Sequence, residues 1–157
     1  FALKAGLTLK DVLTESSVLK VDGHWASDPT SYAIISGFST AGGLIPSNPT
    51  LENPTPGSFP LVLEWSVGAG YSQKFNKLTA GVSGRYGETF DYIFVDTTSP
   101  TGFTSSSAEY WAVVGDIGYD LTKNMNVLAE VKYQNIDFGG GASSDQTSGF
   151  LRFQRNF

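Results

Sequence analysis

The sequence predicts an all-β protein, an antiparallel β-barrel that crosses a membrane. Three observations point there. Apolar and polar residues alternate along most of the chain, aromatics gather near the strand ends on the apolar side, and the opposite side carries charges of both signs. Strict alternation marks strands with two different environments. A charged face wants water, so the apolar face is the one that must be buried or sit in hydrocarbon.

Composition narrows the choice. The chain has 157 residues, enough for one ordinary domain, and only 16% are charged, against about a quarter in typical soluble domains. Aromatics at 13% exclude disorder. The 18 glycines, with many Ser, Thr and aromatic residues, disfavour a helical bundle. A net charge of -5 argues against nucleic acid or another phosphate-bound partner. The lack of cysteine leaves no disulfide framework and no thiolate metal site. Mean hydropathy of -0.09, with no long apolar run, excludes a transmembrane helix. It does not exclude a barrel, whose alternating strands average to near neutrality. Phe1 opens directly into an alternating segment without a basic and apolar leader, so no signal peptide is read in the sequence.

Seven strands are predicted. The first sets Leu3, Ala5, Leu7 and Leu9 against Lys4, Gly6, Thr8 and Lys10. In the second, Leu19, Val21 and Trp25 oppose Lys20, Asp22 and His24. The third is the clearest: Phe59, Leu61, Leu63, Trp65, Val67, Ala69, Tyr71 and Phe75 alternate with positions that include Glu64, Ser66, Gly68, Gly70, Ser72 and Lys74. After a tight turn near Asn76, the fourth places Leu78, Ala80, Val82, Gly84 and Tyr86 opposite Thr79, Gly81, Ser83 and Arg85. The fifth opposes Trp111, Val113, Ile117, Tyr119 and Leu121 to Ala112, Asp116, Gly118 and Asp120. The sixth opposes Val127, Ala129, Val131 and Tyr133 to Glu130, Lys132 and Gln134, and the last sets Leu151, Phe153 and Phe157 against Arg152, Gln154 and Asn156. Tilted membrane strands need about 9–11 residues, which these reach, while soluble strands average about 5–6.

The connections alternate in length as well. Residues 11–17, 73–77 and 122–126 are short, while 27–58, 96–107 and 137–146 are long and rich in Gly, Ser, Thr and Pro. Short turns on one side and long loops on the other are the pattern of bacterial outer-membrane barrels. Seven strands leave the first and last running the same way, whereas such barrels have an even number. The chain therefore reads as the carboxy-terminal part of one larger barrel domain, spanning residues 1–157. An alternative count takes residues 31–39 as an eighth strand, because Tyr32, Ile34 and Phe38 alternate. The prolines between Ile45 and Pro56 predict a loop that cannot join a sheet ladder.

Residue roles follow from the faces. Lys4, Lys20, Asp22, His24, Glu64, Arg85, Asp116, Glu130, Lys132 and Arg152 are expected to line water. Trp25, Phe59, Phe90 and Tyr92 at one set of strand ends, Tyr71, Phe75, Tyr119 and Phe157 at the other, and Trp111 are expected at headgroup level, where amphipathic rings settle. Asp22 and His24, with Ser66 or Ser83, allow a nucleophilic reading, but no third orienting group is in sequence reach. Wall residues solvated by channel water are the plainer reading. Residues 137–145 are faintly similar to a glycine-rich calcium repeat, in one copy that an exposed loop explains equally well. No cofactor, metal or catalytic residue is expected.

Three segments resemble a known family: Gly149-Phe-Leu-Arg-Phe-Gln-Arg-Asn-Phe157, Val67-Gly-Ala-Gly-Tyr-Ser-Gln-Lys-Phe-Asn76 and Gly23-His-Trp-Ala-Ser-Asp28. They are similar to alphaproteobacterial general-diffusion porins of the rhizobial and Brucella type. That resemblance implies a 16-stranded homotrimeric barrel in the outer membrane, among lipid and lipopolysaccharide, passing small hydrophilic solutes and ions. It also implies that Leu151, Phe153 and Phe157 are recognised by the barrel-assembly machinery. Arg155 departs from that alternating signal. The competing expectation is a small eight-stranded outer-membrane barrel used for adhesion or anchoring.

Overall fold

A computed structural model describes residues 1–29, 34–35, 45–46, 61–95, 100, 103–138 and 143–155. Among the described residues eleven strands occur in chain order: β1 (Ala2–Lys10), β2 (Ser17–Ala26), β3 (Ile34–Ile35), β4 (Ile45–Pro46), β5 (Leu61–Phe75), β6 (Leu78–Thr89), β7 (Tyr92–Val95), β8 (Phe103–Ser106), β9 (Glu109–Thr122), β10 (Met125–Asp137) and β11 (Ser143–Arg155). The long ones form a sheet in the order β1-β2-β5-β6-β9-β10-β11, every ladder antiparallel. These are the seven segments that alternation predicts. The sheet is not closed, since β1 and β11 each have a neighbour on one side only among the described residues.

The turns explain the tight end of the sheet. β5 and β6 are joined by Asn76 and Lys77 alone, and Asn76 takes a left-handed φ of 57°, a conformation asparagine tolerates better than most residues. Lys123 and Asn124 alone join β9 to β10. The longer turn between β1 and β2 is held by its own side chains. The Asp11 carboxylate accepts from the Ser16 amide at 2.6 Å, and the Gln73 amide of β5 donates to the Glu15 carbonyl at 2.9 Å.

Among the described residues the long strands form a single layer whose two faces differ in exposure. β9 shows this directly, since its residues alternate between exposed and covered along most of its length. Val67, Val82, Ile117 and Val131 lie on the exposed, outer face. Ser66, Ala112, Gln134 and Ile136 lie buried on the other, inner face.

Two expectations need correction at the end of the sheet opposite the tight turns, and the alternative eighth strand is met in part. Pro46 does join a ladder: β4 pairs with β7 through Ile45 with Ile93 and Pro46 with Tyr92. β4 is the outer strand of a small separate sheet, β4-β7-β8, and an outer strand is where a missing N–H is tolerated. Residues 96–107 are not wholly loop, because β8 pairs with β7 as a hairpin. Within the alternative eighth strand, Ile34 and Ile35 pair with Val62 and Leu61 of β5, and the rest of residues 31–39 lies outside the described residues.

The third strand also departs from a single continuous pattern. Its register with β6 shifts between Leu63 and Trp65, so that Leu63 faces Thr89 while Trp65 faces Glu88. Glu64 is the extra residue of a β-bulge. Such a bulge puts two residues opposite one and reverses the facing beyond it. Leu63 therefore turns to the inner face, where it forms a buried apolar cluster with Ala108, Tyr110, Ala112 and Ile136. Gly87 makes room for the bulge, because a Cβ there would come within 2.7 Å of Ser66 Cβ.

Candidate functional site

The inner face carries all the water-lining candidates except Glu64, which the bulge removes from the alternation. Register places them in rows. Lys4 is opposite His24, and His24 is opposite Ser66. Asp22 is opposite Gly68, and Gly68 opposite Arg85. Lys20 lies opposite Gly70, Asp116 opposite Glu130, Lys132 opposite Ser148, and Arg152 opposite Leu128.

The strongest constellation joins three strands. Arg85 Nη2 of β6 reaches across β5 to Asp22 Oδ2 of β2 at 2.6 Å. The strand between them offers no obstacle because its residue there is glycine: a Cβ on Gly68 would stand 3.3 Å from Asp22 Oδ1 and 3.4 Å from Arg85 Nη2. Arg85 Nη1 donates to Ser66 Oγ at 2.9 Å. His24 Nδ1 lies 2.9 Å from the same hydroxyl, and His24 Nε2 lies 3.1 Å from the Leu63 carbonyl. The pattern closes when Ser66 donates to Nδ1 and Nε2–H donates to Leu63, so both ring nitrogens of His24 and the Ser66 hydroxyl have partners.

This geometry bears on the nucleophilic reading. Ser66 and His24 do meet, but Asp22 is taken by Arg85 and does not orient the imidazole. Ser66 is 3% exposed and its hydroxyl already accepts from a guanidinium, which leaves no activated oxygen facing a substrate. Its role is to brace Arg85. Ser83 faces Gly70 and Val114 and meets neither partner.

The remaining charges are spread along the wall. Asp116 leans over Gly81, where a Cβ would meet its Oδ1 at 2.5 Å. Lys74 pairs with Asp120 at 2.9 Å near the tight turns, with both side chains nearly half exposed. Lys4, Lys20 and Arg152 make no hydrogen bond or ion pair among the described residues. A ladder of neutral groups that alternation alone does not reveal runs beside them: Tyr110 OH donates to Gln134 Oε1 at 3.1 Å, and Gln134 Nε2 donates to Gln146 Oε1 at 2.7 Å. The sequence places Gln134 on the polar face, but the pairing needs the register of β9, β10 and β11. Among the described residues, no group of three or more His, Cys, Asp and Glu side chains is placed to hold a metal ion.

On the outer face, the aromatics form pairs. Phe1 meets Trp25 at 6.3 Å between ring centroids, Trp65 meets Tyr86 at 5.7 Å, and Trp111 meets Tyr133 at 5.2 Å. Trp65, Tyr86 and Tyr133 thus extend a band in which Trp25 and Trp111 are expected from sequence. At the tight end Phe75 and Tyr119 are exposed, while Tyr71 is partly covered and donates its OH to Gln73 at 2.9 Å. Leu151 and Phe153 are exposed on the outer face of β11. Phe59 and Phe157 lie outside the described residues. Of the other loop-side aromatics, Phe90 is half-buried and Tyr92 is in β7.

An antiparallel sheet with an exposed apolar outer face, and an inner face carrying fixed charges of both signs, defines the wall of a transmembrane β-barrel. Comparison with known families agrees. The porin subfamily matches residues 1–154, and the chain belongs to that subfamily, whose members are outer-membrane channels rather than enzymes. No curated protein and no solved structure matches the chain.

Proposed function

We propose that the chain forms wall of a water-filled pore through which small hydrophilic solutes and ions diffuse passively, of the alphaproteobacterial general-diffusion type. The observation that carries this reading is the inner face: acidic and basic side chains are fixed opposite an apolar outer face. Charges of both signs around a water column set up a transverse field that orders polar solutes without binding them tightly. No chemical step is needed. Closure of the open sheet by further strands, assembly as a homotrimer among lipid and lipopolysaccharide, and recognition of Leu151, Phe153 and Phe157 by the barrel-assembly machinery belong to the same proposal.

Planar-bilayer recording tests it. The intact, membrane-inserted protein is expected to give stable stepwise conductance, and the double substitution Arg85→Ala with Lys132→Ala is expected to move the reversal potential in a salt gradient toward cation preference. Absence of conductance would refute the channel. An unmoved potential would refute the assignment of these two side chains to the water column.

A further inference from the structure

The Asp22–Arg85 pair is held from behind, and beside it lies a recess that the wall field does not by itself explain. A cavity of about 200 Å³ on the inner face is lined by Ala2, Leu3, Lys4, His24 and Arg85. Its charged lining is unequal. Asp22 neutralises Arg85, both imidazole nitrogens of His24 are engaged, and Lys4 has no partner among the described residues. The recess therefore carries a net positive charge from Lys4 next to a guanidinium already fixed in place. Asp22 and Ser66 occupy two of the five N–H groups of Arg85, which leaves donors for a further acceptor. A guanidinium locked in this way loses little side-chain freedom when it takes that acceptor.

We infer that this recess is a weak binding subsite for a small carboxylate-bearing solute, its oxygens shared between Lys4 and Arg85. The inference rests on the channel reading and deepens it by naming a solute class. One unneutralised positive charge matches one carboxylate, and the volume admits a solute of a few carbon atoms. Lys4 supplies charge on a flexible stem, while Arg85 supplies direction. Two contacts hold the solute weakly enough for release, as a channel requires.

The experiment replaces chloride by acetate at constant ionic strength in bilayers containing the intact channel. Conductance is expected to follow a hyperbola that saturates in acetate, instead of falling in proportion to mole fraction. Lys4→Gln is expected to weaken the half-saturating concentration about tenfold, as loss of one charge-assisted contact should. Arg85→Lys keeps the charge but loses the fork, and is expected to weaken it several-fold. Lys10→Gln removes the same charge from the far end of β1 and is expected to change nothing. A channel that conducts chloride but shows proportional behaviour in acetate overturns the subsite and leaves the pore intact. So does equal weakening by Lys10→Gln, which would mean general wall charge. Saturation by phosphate but not by acetate overturns the carboxylate assignment. A protein with no chloride conductance overturns the channel reading instead.

Discussion

The two ends of the sheet obey different rules. At the tight-turn end, β5 with β6 and β9 with β10 are joined by two residues each. Alternation there is nearly unbroken, with the one register shift confined to the junction of Met125 and Asn126. Side chains point where a period of two says they should. At the opposite end, a bulge at Glu64 turns Leu63 inward, a small second sheet stands on the β6–β9 connection, and an apolar cluster occupies the inner face. The difference teaches that polarity marks facing only while the ladder is regular. One inserted residue is enough to bring an oily side chain to the watery side and to need a glycine across from it.

The comparison is most sharply broken at Ile136, which is fully buried in that inner cluster, whereas Ile117 on the outer face is 50% exposed. Ile136→Ala is expected to lower unfolding stability by about 2–5 kcal/mol, the range for emptied core positions, and Ile117→Ala by far less. Urea unfolding in lipid vesicles measures both, and equal effects would deny that the cluster is a packed core. Next in size is Val131→Arg on the outer face, expected to cost about 2–4 kcal/mol if the side chain meets hydrocarbon near the midplane. Full tolerance would place that face in water. Gly87→Ala crowds the bulge and is expected to cost about 1–3 kcal/mol. Gly115→Ala, with open space around its Cβ, is expected to be nearly neutral, and a reversal of that order would deny the close approach of β5. The smallest effect belongs to the tight-turn end. Lys74→Gln removes an ion pair whose partners are nearly half exposed and is expected to cost under about 1 kcal/mol, with a larger loss showing that the pair is shielded from solvent.

Much of this was legible in the sequence because a membrane strand writes its two solvents directly into alternate positions. All seven long strands can be read that way, as can the inner-face positions of Asp22, His24 and Arg85. Pairing could not be read, since nothing local says that Arg85 meets Asp22, 63 positions away, over a glycine in the strand between. The bulge was hidden for a different reason. Phe59 to Phe75 shows no break near Glu64 as text, and only the partner strand reveals that Glu64 has no opposite number. Pro46 misled because its ring forbids donation but not pairing at an outer strand. Likewise Trp65, Tyr86 and Tyr133 sit mid-segment in the chain, yet join the aromatic band once the strands are set side by side.

The Arg85 bridge also has a mechanical consequence. By tying β6 to β2 over the strand between, it acts as a hoop segment around the pore circumference. Sliding β5 by one residue against either neighbour would replace Gly68 with a side chain and drive a wedge under the tie. Resistance to that shear holds the three strands in register, and it does so with one glycine and three polar side chains.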